Sequence, residues 1–214
     1  MERATEPTPQ HAPFFVIRPA RMDDIYPILR LHREAFHDKF GAAFGARGAE
    51  RGIEAMAEAW RRQGLSALRG MLVAVADGRV IGTTSLRTWE MGSDASGAAE
   101  VAFHRVLGTW GALRSIFTLS LLDHHIDRNE GYITDVAVLY EFRRQGVARA
   151  LLQRAEEEAR LRNKRFVGLY VSARNAGARH LYEDVGFVVL RSRSSLLAAL
   201  LLRQYRWLYM RKDL

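Results

Sequence analysis

Three features of the 214-residue sequence predict an α/β (α+β) domain built on one mixed β-sheet flanked by helices. Apolar runs at residues 71–76, 79–86, 132–139 and 166–171 read as strands, and apolar positions at helical spacing in 25–31, 50–63 and 146–162 read as helices. Strands and helices alternate along the chain without an internal repeat, the order expected of a single mixed sheet. A composition of 48% hydrophobic and 26% charged residues suits one well-buried core.

Each element has a local reason. Residues 1–13 are polar and Pro-containing and are expected to be a disordered lead, leaving 14–214 as the single domain. Residues 14–18 read as a strand closed by Pro19. Asp23 or Asp24 can then cap a helix bearing Ile25, Ile28, Leu29 and Leu31, with Pro27 in its first turn where the missing N–H does no harm. The second helix carries Ile53, Met56, Ala57 and Trp60 on one side. Asp77-Gly78 joins the runs 71–76 and 79–86 into a hairpin. Small residues over 92–97 form a loop. From 99 to 123 the chain is apolar and helix-compatible, with Trp110, Leu113, Ile116, Phe117, Leu121 and Leu122. Strand 132–139, helix 146–162, strand 166–171 and helix 175–184 follow. A strand pair at 187–190 and 205–211 encloses the Leu-rich insert 194–202.

Composition bounds the chemistry. Without cysteine there is no disulfide, zinc-thiolate site or catalytic thiol. The N-terminal residues lack the apolar core of a signal peptide, and no apolar stretch approaches the roughly 20 residues of a membrane span, so a cytoplasmic location is expected. The formal net charge of +8 is compatible with nucleic acid, an anionic membrane or a phosphorylated ligand. A nucleic-acid module would interleave aromatic and basic residues on one face or carry a helix-turn-helix, and neither is visible. His124-His125 are adjacent and lack a partner cluster, so no metal site is expected.

Arg143, Arg144 and Arg149 crowd around Gly146, where a strand ends, the chain turns and a helix begins. A helix N-terminus exposes unpaired N–H groups and the positive end of its dipole. Small residues there admit a pyrophosphate close to the backbone, and arginines add charge. The segment is neither a Walker A loop, since no Gly-Lys-Ser/Thr follows, nor a dinucleotide fingerprint, whose second and third glycines are missing.

This segment resembles the GCN5-related N-acetyltransferase (GNAT) family. That family's coenzyme motif, Gln/Arg-x-x-Gly-x-Gly/Ala, is matched by Arg143-Arg144-Gln145-Gly146-Val147-Ala148, after the strand Asp135-Val136-Ala137-Val138. Its second motif is matched by Asn175, Ala178, Leu181-Tyr182 and Gly186-Phe187. The match is firm over 131–190 and rests on element order over 14–90. Tyr140 stands where the family usually has proline.

The resemblance implies a mostly antiparallel sheet, with 99–128 as a helical insertion before the coenzyme-binding strand, and acetyl-CoA as co-substrate. It assigns the backbone groups of Val136 and Val138 to pantetheine, and the pyrophosphate to Arg144, Gln145, Gly146, Val147, Ala148 and Arg149 with the Arg143 side chain alongside. Asn175 would hold the pantetheine arm from the far side. Core packing would equally account for the valine side chains. The implied reaction is direct attack of an amine on the thioester, with Val136 N–H opposite the oxyanion and Tyr182 as acid to the departing thiolate. Alternation puts Glu130, Tyr132 and Thr134 on one strand face, and Glu130 is the first candidate for the base. Glu90, Glu100 and His104 stand in reserve.

The 99–128 insertion and the Leu-rich 194–202 segment would pack together, closing an acceptor pocket or forming a homodimer face. Arg203, Arg206, Trp207 and Arg211 after the leucines also permit an interfacial membrane segment, the less favoured reading. The expected activity is acetyl transfer to an amine of a small molecule or protein. A sensor that binds acetyl-CoA without turnover is the alternative, which the presence of Tyr182 disfavours.

Overall fold

The computed structural model describes residues 14–45, 48–92, 96–120, 124–194 and 206–214. Strand β1, Val16–Pro19, leads through the 3-10 turn Met22–Asp24 into helix α1, Ile25–Ala35. Arg18 and Asp24 form an ion pair at 2.6 Å that ties the strand to the helix start. Helix α2, His37–Phe44, was not expected from the sequence; the residues Phe36, Phe40 and Phe44 recur every four positions and pack on the core. Helix α3 is Ala49–Gln63. Strands β2, Met71–Ala76, and β3, Arg79–Thr88, form the expected hairpin, with Asp77 and Gly78 both at positive φ as its two-residue turn requires.

Helix α4, Ser96–Ser120, is broken at Gly108, which takes φ 73. After it come strand β4, Glu130–Val138, helix α5, Val147–Leu161, strand β5, Phe166–Ser172, and helix α6, Ala176–Asp184. Strands β6, Val188–Ser194, and β7, Arg206–Asp213, complete a seven-stranded sheet ordered β1-β2-β3-β4-β5-β7-β6. Among the described strands β4 and β5 run parallel and the other neighbours are antiparallel. Ile28 and Leu29 of α1, Leu151 and Leu152 of α5 and Val73 of β2 are sealed in one core with the sheet. Burying each such aliphatic side chain contributes about 1.5–3 kcal/mol.

The insertion before β4 is helical, as expected. It packs on α2 and α3, with Phe103 and Ala112 in one cluster with Ala55, Phe44 and Met56, and Ser115 donates to the Ala43 carbonyl at 3.0 Å. Trp110 is 86% exposed and is not among the residues that line the cleft described below. Residues 124–127 have no regular structure, which places His124 and His125 in a loop rather than on a helix. The lead 1–13 and nearly all of the Leu-rich insert fall outside the described residues, so their expected roles stand as expectations.

Candidate active site

Strand β4 carries an extra residue. Thr83 pairs with Ala137 and Ser85 with Thr134, so two residues of β3 span three of β4. Asp135 sits in the excess at φ 55, a left-handed conformation uncommon for a residue with a side chain. The Thr84 hydroxyl donates to the Thr134 carbonyl at 3.2 Å, supplying a partner where the ladder is interrupted. On its other edge β4 pairs with β5 only from Glu130/Phe166 to Ile133/Leu169, although β4 continues to Val138 and β5 to Ser172. The two parallel strands therefore part beyond Ile133. Asp135 and Val136 fall between registers on the β3 side and beyond the pairing on the β5 side.

A cleft of about 1630 Å³ opens where the strands part. Ligand pockets commonly span about 300–1,000 Å³, so this one has room for two reactants. Its floor is β4 from Tyr132 to Val138 together with Leu169 to Ser172 of β5. Arg143, Arg144, Gly146, Val147, Ala148 and Arg149 line one flank, and Asn175, Ala178, Leu181 and Tyr182 the other. The two sequence motifs thus face each other across one opening.

The phosphate flank is shaped by its backbone. Arg144 and Gly146 both take positive φ, 63 and 81. Gly146 is the N-cap of α5, and the space where its Cβ would stand is empty for at least 4 Å. The first N–H groups of α5 have no helical partner and meet this opening. Gln145 donates to the Glu141 carbonyl at 2.9 Å, holding the turn. Arg143 Nε donates to the Val138 carbonyl at 3.2 Å, and Val138 keeps its register with Gly82. Tyr140 uses the N–H that a proline would lack to donate to Glu34 of α1 at 3.2 Å. Arg149 pairs with Asp184 at 3.6 Å, joining α5 to α6. Asn175 caps α6, its Oδ1 accepting from Ala178 N–H at 3.1 Å.

Tyr182 is buried on α6, and burial pushes its phenol up to about 12. It stays a proton donor throughout the neutral range. Glu130 does not line the large cleft among the described residues. Its carboxylate is 2% exposed and accepts from His124 Nε2 at 3.0 Å on both oxygens, from Tyr209 at 2.6 Å and from Asp127 N–H at 3.1 Å. Burial alone would raise its pKa, but these donors outweigh burial and hold it below the usual carboxylate range. His124, which lines the cleft, was missed in the sequence as a site residue. The reserve candidate Glu90 is instead bound to Lys164 at 2.6 Å, and that hydrogen bond foremost lowers its pKa to about 2, leaving a feeble base. Among the described residues no group of three or more His, Cys, Asp or Glu could hold a metal ion.

The family model described as "Acetyltransferase (GNAT) family" matches residues 28–187, which include both motifs and the strands that part. The chain belongs to this family. GCN5-related N-acetyltransferase 4, chloroplastic, of Arabidopsis thaliana is a GNAT relative 30% identical over 196 residues, covering 84% of this chain. The chain spans only 62% of that relative's length. A solved structure described as an acetyltransferase superposes with TM-score 0.66 at 23% identity, over 92% of this chain and 98% of the other. The PaiA N-acetyltransferase of Thermoplasma acidophilum, solved in complex with coenzyme A, superposes with TM-score 0.59 at 16% identity, over 94% and 99%. These structures share the GNAT fold with the chain.

Proposed function

We propose that the chain is an acetyl-CoA-dependent N-acetyltransferase that passes acetyl directly to an amine of a small molecule or a protein. One observation carries the reading: β4 and β5 part at a bulge beside a helix N-terminus whose capping glycine leaves its approach open. The site residues fit the coenzyme. Free strand edges at Val136 suit an amide-bearing pantetheine arm, and the α5 N-terminus with Arg143, Arg144 and Arg149 suits a pyrophosphate. A fold neighbour holds coenzyme A.

When bound, acetyl-CoA supplies an activated acetyl group as a thioester. The chain's residues do the rest. Val136 N–H opposes the negative charge developing on the carbonyl oxygen. Tyr182 donates its proton to the leaving sulfur. Asn175 borders the arm from α6, and Glu130 serves the deprotonation of the acceptor amine. The exposed Val188, Val189 and Leu190 on edge strand β6 are consistent with self-association as a homodimer. No helix among the described residues is long and apolar enough to cross a membrane. The lack of cysteine suits a reducing compartment such as the cytoplasm.

The test is thiol release from acetyl-CoA with a polyamine, an aminoglycoside, free amino acids and peptides with free N-termini. Amine-dependent release with acetylated product is expected. Binding of acetyl-CoA with no release for any amine would favour a sensor over an enzyme.

A further inference from the structure

His124 stands where the large cleft meets a second pocket of about 650 Å³, and it lines both. Glu130 lines only the second pocket. The imidazole is enclosed by Tyr132 at 4.4 Å and by Tyr170 and Tyr209 at 5.4 Å between ring centres. Its Nε2 is 3.0 Å from each Glu130 oxygen. An ionised carboxylate only accepts, so Nε2 carries the proton and, in the neutral ring, Nδ1 carries the lone pair. The cradle is built: a Cβ on Gly168 of β5 would overlap both the Tyr209 hydroxyl and the Glu130 carboxylate. Tyr209 and Asp127 N–H lock the carboxylate in place. The second pocket is also lined by the titratable or charged side chains of Asp127, His125, Arg211 and Arg191, the last lying over the Tyr209 ring at 4.9 Å.

We propose that His124 is the general base that accepts the proton of the incoming ammonium group, and that Glu130 is its positioning carboxylate. This rests on the acetyltransferase reading and names how that site makes its acceptor nucleophilic. The ammonium nitrogen gives one proton to His124 Nδ1, and the freed amine forms the C–N bond with the acetyl carbon. The C–S bond breaks, its electron pair leaves on sulfur, and sulfur takes the Tyr182 proton. The second proton on the attacking nitrogen restores Tyr182, and His124 releases its proton to solvent. Amide, thiol and one proton result from ammonium and thioester, so the step balances.

Two measurements decide it. Nitrogen-15 spectra of the neutral histidines, assigned by loss of signal in His124→Gln, are expected to show His124 as the Nε2–H tautomer; an Nδ1–H tautomer overturns the proposal without any need of turnover. Kinetics with the best amine of the panel are expected to show kcat lowered about 10²-fold or more in His124→Gln, with acetyl-CoA affinity kept as proof of folding. Glu130→Gln is expected to lower kcat with acetyl-CoA affinity kept and to lose the strict Nε2–H preference of His124, because a carboxylate only accepts whereas an amide can also donate. A His124→Gln enzyme with wild-type kcat, or a Glu130→Gln enzyme that keeps both wild-type kcat and the Nε2–H tautomer, overturns the proposal. Absence of turnover in the wild type would count against the acetyltransferase reading instead, and the tautomer would still decide the geometry.

Discussion

Tyr182 and Glu130 are both buried, yet their surroundings push them in opposite directions. Burial without an opposing charge raises the Tyr182 phenol, whereas three donors keep Glu130 ionised. Tyr182→Phe is therefore expected to lower kcat by about 10²-fold, measured as thiol release, while the dissociation constant for acetyl-CoA stays near wild type. Tyr182 also makes stability fall in alkali. Its folded value exceeds the unfolded one, so the contribution is complete below about 10 and is lost as pH rises through about 12. Melting temperatures between pH 8 and 11 should decline more steeply for the wild type than for Tyr182→Phe. Tyr182, Asn175 and Gly146 could be found in the sequence because each sits in a short motif with fixed spacing. His124 could not, because its meaning comes from contacts that close only in the sheet. Glu130 meets Tyr209, 79 positions away, across the narrow space left by Gly168 of β5.

Among the elements, the bulge in β4 does the most to shape the cleft. An isoleucine at position 135 cannot adopt φ 55 without strain of about 1–3 kcal/mol, whereas glycine adopts it freely. Asp135→Ile is expected to lower stability by that amount and weaken acetyl-CoA binding, and Asp135→Gly to preserve binding, as urea titration and calorimetry would show. A second device holds the lower end of the site. Lys164, with its side chain 2% exposed, donates to the Arg128 carbonyl at 2.8 Å and to Glu90. Lys164→Met should cost about 1–2 kcal/mol by leaving that carbonyl short of a donor. Glu90 is depressed to about 2, so its share of stability is present above its ordinary value and lost as pH falls toward 2. The variant should lack this part of the acid sensitivity in urea midpoints at pH 7 and pH 3. Apolar periodicity and the Asp77-Gly78 turn made the hairpin and the coenzyme helix legible. Periodicity did not say where α4 would dock, since an apolar face bearing Phe103 and Ala112 suits helices α2 and α3 as well as a cleft.

At the scale of the whole molecule, the +8 charge has a local focus, with Arg143, Arg144 and Arg149 bordering the open end of α5. The strand order places that end beside the parallel pair β4 and β5, and there the strands part. The account stands on coenzyme binding at this place. The most direct test is calorimetric titration of acetyl-CoA into the wild type, Gly146→Ala and Gly146→Glu. Alanine adds backbone strain of about 1–2 kcal/mol at φ 81, while glutamate adds a negative charge facing the phosphates as well. The predicted result is micromolar binding by the wild type, retained in weakened form by Gly146→Ala and reduced at least about 100-fold, or roughly 2.7 kcal/mol, by Gly146→Glu. A folded wild type that binds no acetyl-CoA, or a Gly146→Glu variant that binds it equally well, would contradict the account.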